Sequence, residues 1–270
     1  MFAHVVNDLS GILLVLSGVA ALMGGLAAYQ RRCRPHPERV RKLMHVGSGC
    51  LALPFPWLFH GLDSVVVVAS VGLLGMLAVR RLPLLNRACG SVLGGVERRS
   101  LGDLYFPVAI GFVFAMAEGD PVLYTVPILV LTLADTAAAL VGICYGCLRF
   151  RTPGGLKSVE GCAAFFAVAL LCTALPAAAW TSLEPARVLL VAALVAGLLT
   201  AVEAVSFAGS DNLTVPAAAY GLLQLALPLG PNALAVPILA MAAAAGALVL
   251  HLTAVVPYCD SRLPARTPQR

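Results

Sequence analysis

"VLYTVPILVLTLADTAAALVGICYG", Val122 to Gly146, is 25 residues long and carries one formal charge, the carboxylate of Asp135. A helix needs about 20 mostly apolar residues to cross about 30 Å of hydrocarbon, so the run reads as a membrane span. An ionised side chain deep in such a span costs on the order of 3 kcal/mol even on a lenient scale, so Asp135 needs a reason to be there. At helical spacing it shares a face with Ala139, Gly142 and Gly146, small residues that let a second helix or a ligand come close. Two readings follow: a carboxylate facing a polar cavity, or a neutral, hydrogen-bonded aspartate in a packing stripe.

On either side of this run lie eight more of the same kind: 9–29, 43–60, 63–79, 104–117, 161–180, 188–206, 213–228 and 233–256, with the quoted span extending over 121–147. Those at 104–117 and 213–228 are the shortest. Their Ala, Leu, Val and Gly content favours closely packed helices, and none alternates in polarity as a barrel strand would. Of 270 residues, 60% are hydrophobic and 11% charged, too little charge to cover a soluble domain. The expected fold is an all-α polytopic bundle of about nine transmembrane helices, one integral membrane domain over 1–270 with no appended soluble domain. Basic residues follow the first span instead of preceding it, unlike a cleavable signal.

Charge placement sets the expected orientation. Seventeen of the 18 Lys and Arg residues fall at 30–42, 80–103, 148–160 and in the tail; Arg187 alone falls in a connection of the other parity. The positive-inside rule then puts the N-terminus outside and the C-terminus in the cytoplasm. Basic residues confined to short loops between spans do not make a nucleic-acid surface. The eight cysteines are scattered, and Cys144 and Cys147 lie on an apolar helix with no second pair, so packing explains them better than metal or redox chemistry. His251 reads as a core histidine. The sequence specifies no oligomeric state.

"RTPGGLKSVEG", Arg151 to Gly161, holds more than a turn requires. Gly154 and Gly155 can present backbone N–H groups in a concave nest. Lys157 adds positive charge, and Ser158 is placed to cap a helix whose N-terminus favours an anion. Glu160 fits beside phosphates only with a cation between them. The spacing is not that of a P-loop. Glu203, Asp211 and Asn212 lie at the next cytoplasmic helix end; a snorkelling glutamate and a helix cap at Asp211 are the plainer readings. Arg41, Lys42 and His45 open the second span, where basic residues are also ordinary anchors. All these positions, with Asp103, map to one side of the membrane, and Asp135 lies one or two turns deeper. Carboxylates suit Mg²⁺, basic groups suit phosphates, and the site opens on lipid, which points to transfer between a nucleotide and a membrane lipid. A transporter would need polar residues along a path through the bilayer, and the outer halves of these spans have almost none.

Four stretches carry a resemblance: "RKLMHVGSG" (41–49), "RRSLGDLYFPVAIG" (98–111), "ADTAAALVGICYG" with "GGLKSVEGCAAFF" (134–166) and "EAVSFAGSDNLTVP" (203–216). In their order and separation the chain resembles the membrane-bound CTP-dependent lipid kinases, the phytol, farnesol and dolichol kinase group, over a core of about 41–216. The middle stretch is also similar to phosphatidate cytidylyltransferases. Ala134 stands where the group usually has glycine, and "CLRFRTPGG" differs from its usual Gly- and basic-rich loop. The resemblance implies an integral membrane enzyme that uses CTP and a divalent cation, Mg²⁺ above all, to phosphorylate a long-chain lipid alcohol. Asp135, with Glu203 or Asp211, would hold the metal. Arg41, Lys42 and Lys157 would neutralise phosphates, and His45 or a carboxylate would take the hydroxyl proton. Gly142, Gly146, Gly154, Gly155, Ser158, Glu160 and Asn212 would complete the nucleotide site. The competing enzyme reading is a cytidylyltransferase acting on a lipid phosphate. Residues 217–259 hold no Lys, Arg, Asp or Glu to serve as its second phosphate clamp.

Overall fold

The computed structural model describes residues 4–94, 101–153 and 155–255. Gly154, Arg98, Arg99 and the tail residues Arg262, Arg266 and Arg270 lie outside these. The elements run α1 (Leu9–Cys33), α2 (Pro37–Ala52), α3 (Phe55–Leu58), α4 (Leu62–Arg81), α5 (Pro83–Gly94), α6 (Gly102–Ala117) and α7 (Pro121–Leu129). A π-helical turn (Val130–Ala134) then leads into α8 (Asp135–Tyr145), β1 (Arg149–Thr152), β2 (Gly155–Ser158), α9 (Val159–Trp180), α10 (Pro185–Val205), α11 (Asp211–Ala226) and α12 (Pro231–Val255).

The protein is a helical membrane protein, and the apolar runs read from the sequence are helical over most of their described length. Six helices among the described residues are long and apolar enough to cross a membrane: α1, α4, the α7–α8 unit, α9, α10 and α12. The other three expected spans are shorter. The helices α6 and α11 have 16 residues each. The run at 43–60 is broken, because α2 stops at Ala52 and Pro54, which cannot continue a helix, precedes the four-residue α3. The Tyr124 hydroxyl donates to the carbonyl of Ala52 at 2.8 Å, satisfying a group that the break leaves free.

The α7–α8 unit is the centre of the bundle. Half of its apolar window is buried, against 6% for α12. Around it α9 packs on α8, α10 on α9, α11 on α10, α6 on α11 and α4 on α6. Lipid tails are as apolar as leucine, so such helices are held by close fit, not by expulsion of water. Gly142 and Gly161 show the fit. A methyl group on Gly161 would lie 3.0 Å from the carbonyl oxygen of Ala138 and 3.1 Å from Ser158 Oγ. Leu225, Val236, Leu239 and Leu250 are exposed on α11 and α12, as a lipid-facing surface requires.

Two features depart from an all-α chain with irregular loops. The stretch expected to form an anion-binding loop is an antiparallel hairpin, pairing Arg149 with Ser158, Phe150 with Lys157, Arg151 with Leu156 and Thr152 with Gly155. Gly155 has φ of 119°, a conformation that favours glycine. It opens a strand, and Thr152 Oγ1 donates to its carbonyl, so it belongs to the strand pair. The second departure is the π turn before Asp135. Pro127 lies three residues ahead of it and removes one helix donor, a setting in which membrane helices adopt such local changes.

Candidate active site

Arg41, Lys42 and His45 come from the first turns of α2, where Pro37 is pre-set for a helix start and the His36 ring accepts from the Glu38 N–H at 3.2 Å. On this helix Lys42 and His45 turn inward, and both are buried. Lys42 Nζ donates to Asp135 Oδ2 at 2.6 Å and to the Asp135 carbonyl at 3.3 Å. His45 Nε2 lies 2.8 Å from the carbonyl of Leu131, inside the π turn, and 3.5 Å from Asp135 Oδ2. Both neighbours are acceptors, so Nε2 carries a proton, and in the neutral ring Nδ1 keeps its lone pair. Phe106 meets the ring edge-on, with centroids 5.0 Å apart. The wide turn thus aims a backbone carbonyl and the Asp135 carboxylate at one histidine and one lysine. A π turn at such a place is a common accompaniment of functional sites.

Asp135 is buried at 7% exposure, with Oδ2 paired to the Lys42 ammonium group. Gly142 and Gly146, whose size lets a second helix or a ligand come close, make room for Ser158 at the start of α9: a methyl group on Gly142 would come within 3.3 Å of Ser158 Oγ. Ser158 caps α9 as the sequence implied, accepting from the Gly161 N–H at 3.1 Å. Lys157, the residue before it, is ion-paired with Glu203 at the end of α10. Glu160 Oε1 accepts from the Leu148 N–H at 3.0 Å, tying the hairpin to α9, while its Oε2 is buried without a partner.

Asp211 is not the cap of α11; Ser210 holds that position, and Asp211 is the first helical residue. Asp211 interacts electrostatically with Asp135, Lys42 and Lys157, and Glu203 does so with Asp135 and Asp211. The three carboxylates and two lysines therefore form one electrostatic unit drawn from α2, α8, β2, α10 and α11. Asn212 is turned to α6, donating to the Gly102 carbonyl at 2.7 Å. Arg41 is clamped by Glu38 through contacts of 3.0 and 2.6 Å. Burial works against the Arg41 charge, but the Glu38 pair outweighs it and holds the guanidinium above its ordinary value. Glu38 was not singled out from the sequence, although its spacing of three from Arg41 is a helical ion-pair signal. Equally unmarked was the pair of Arg80 with Asp103, which joins α4 to α6.

Arg41, His45 and Asp211 line a cavity of about 720 Å³, whereas Lys42, Asp135, Lys157 and Glu203 are not among its lining residues. Glu38, Arg41, His45, Arg80, Asp103 and Asp211 line its polar end; Val15, Ala52, Phe55, Val68 and Ile110 are among the residues at its apolar end. His45 is the hinge between the two regions, lining the cavity with its ring while Nε2 faces the Asp135 carboxylate. Among the described residues no three His, Cys, Asp or Glu side chains form a ready-made metal cluster.

No family model and no solved structure matches the chain. A curated protein does: the phytol kinase of Synechocystis sp. is 33% identical over 185 residues, covering 66% of this chain and 75% of the relative.

Proposed function

The chain belongs to the phytol kinase family of lipid-alcohol kinases, and from that premise we propose that it moves the terminal phosphate of CTP to the hydroxyl of a long-chain isoprenoid alcohol at the cytoplasmic face of a membrane. The observation that carries the reading is a cavity with a charged mouth and an apolar interior. An amphiphile with one hydroxyl fits it: the tail lies among Val15, Val68 and Ile110, and the hydroxyl reaches His45 and Asp211. A soluble substrate would gain nothing from the apolar half.

In this reading His45 orients the hydroxyl. With Nε2–H held by Leu131, its Nδ1 is the free acceptor for the hydroxyl proton, and Asp211 is the second acceptor at the same mouth. Lys42, Lys157 and Arg41 answer the charge of the nucleotide phosphates. Arg41, already fixed by Glu38, loses little freedom in doing so. Asp135, Glu203 and Asp211 supply oxygen donors of the kind Mg²⁺ prefers, and Glu160 Oε2 is a further buried oxygen without a partner. Magnesium bound there would spread and neutralise charge on the transferring phosphate. The choice of CTP rests on the likeness of 134–166 and 203–216 to CTP-using families, and the cytoplasmic placement and nine-span topology on the distribution of basic residues. The alternative, transfer of a cytidylyl group to a lipid phosphate, lacks a charged second clamp anywhere in 217–259.

Sealed membrane vesicles test donor and sidedness together. In inside-out vesicles, added CTP should support phosphorylation of a prenyl alcohol directly, and ATP should be poorer by about tenfold or more. In right-side-out vesicles the activity should require permeabilisation. Equal activity in intact right-side-out vesicles would overturn the orientation, and equal use of ATP would overturn the donor.

A further inference from the structure

The π turn displaces one carbonyl from the helix ladder. In an α-helix the Asp135 N–H would donate four residues back, to Leu131. Here it donates five residues back, to Val130, so the Leu131 carbonyl loses its α-helical donor. The next carbonyl, of Thr132, accepts from Thr136 Oγ1 at 2.8 Å, back at α-helical spacing. Leu131 is buried at 1% exposure, and a buried carbonyl needs a donor. It finds one in His45 Nε2, 2.8 Å away and 86 residues distant in the chain.

A tight contact holds the two together. Gly49 lies one helical turn beyond His45 on α2 and faces the Thr132 side chain, which is fully buried. A methyl group on Gly49 would fall 2.0 Å from Thr132 Oγ1 and 2.4 Å from its Cγ2. Thr132 Oγ1 has no hydrogen-bond partner, so the side chain acts here by its shape. Thr132 adjoins Leu131, so the contact that seats α2 also sets where the Leu131 carbonyl meets His45. We infer that the π turn is a positioning device: its extra residue frees the Leu131 carbonyl, and Gly49 against Thr132 keeps that carbonyl on Nε2, so that His45 holds its proton there and keeps Nδ1 as acceptor. Leu131, Thr132 and Gly49 are then positioning residues that act through His45. The inference rests on the lipid-kinase reading for the use of the Nδ1 lone pair and adds what fixes it.

Deleting Leu133, which is exposed on the bundle surface, tests the device. The deletion puts Asp135 four residues after Val130 and Thr136 four after Leu131. The existing Asp135–Val130 bond becomes an ordinary α-helical one, and the Thr136 N–H takes the Leu131 carbonyl. Nitrogen NMR of the purified full chain, with isotope-labelled histidine, reads the proton on each ring nitrogen, and the signal lost in His45→Gln assigns His45. At a pH where the ring is neutral, the wild-type proton should sit on Nε2. In the Leu133 deletion it should be shared between both nitrogens. There kcat for alcohol phosphorylation should fall about a hundredfold with KM for CTP unchanged, the scale and pattern of a lost general base. Should the deletion not fold, the two Thr132 variants decide. Thr132→Ala loosens the contact and should blur the same signal and lower kcat about tenfold. Thr132→Val restores the bulk without the hydroxyl and should restore both. A wild-type proton on Nδ1 would overturn the inference, as would an unchanged His45 signal in the folded deletion or in Thr132→Ala, or a Thr132→Val protein that behaves like Thr132→Ala. If the wild-type chain phosphorylates no alcohol, the kinase reading fails instead, and the NMR signals, which need no turnover, still decide the device.

Discussion

Asp135→Asn is expected to lower lipid phosphorylation at least about a hundredfold, the scale of losing an electrostatic or metal-holding group in a reacting site. The substitution keeps the shape of the side chain, and the amide oxygen can still accept from Lys42 Nζ, which lies 2.6 Å from Oδ2. The fold should therefore survive, and purified yield should resemble the wild type. What disappears is the negative charge that Lys42, His45 and Arg41 all face. Steady-state kinetics on detergent-purified protein measures the effect, and near-normal turnover would return Asp135 to a purely structural role.

Lys42→Met should act on stability as well as rate. Removing one partner of a buried ion pair typically costs about 3–5 kcal/mol, because the other charge is left without compensation. Here the remaining charge would be Asp135, whose side chain is 10% exposed beside a Lys42 side chain that is 4% exposed. The cost should show as a lower unfolding temperature in detergent. The double variant Lys42→Met with Asp135→Leu removes both charges and should recover most of the stability while remaining inactive. That pattern separates the two contributions of the pair. A Lys42→Met protein as stable as the wild type would mean that the pair is not what holds α2 against the π turn.

The sequence was legible where one residue type carries one physical meaning. A carboxylate in a 25-residue apolar run needs a partner or a cavity, and Asp135 has a partner in Lys42, with His45 beside it. Ser158 ahead of an apolar helix is a cap, and it caps α9. The basic residues of 30–42 mark a helix start that carries Lys42 and His45. It was illegible where several distant segments act together. Nothing local announces that Lys42 meets a carboxylate 93 residues away, or that Lys157 meets one 46 residues away. The π turn follows Pro127 by three residues, but a proline alone does not distinguish a π turn from a kink. The hairpin did have a signal, a Pro-Gly-Gly turn between short polar and apolar alternations, but strands of four residues are too short to stand out beside the apolar runs. The apolar end of the cavity draws on several helices, so no periodicity could reveal it.

Phosphate tracing tests the central claim most directly. The purified chain is given a prenyl alcohol of four isoprene units, Mg²⁺, and CTP labelled either in its terminal or in its innermost phosphate. Transfer of the terminal phosphate predicts that only the first label enters the lipid, as a monophosphate, while the second remains in CDP. Entry of the innermost label into lipid, with release of pyrophosphate, would contradict the account and make the protein a cytidylyltransferase.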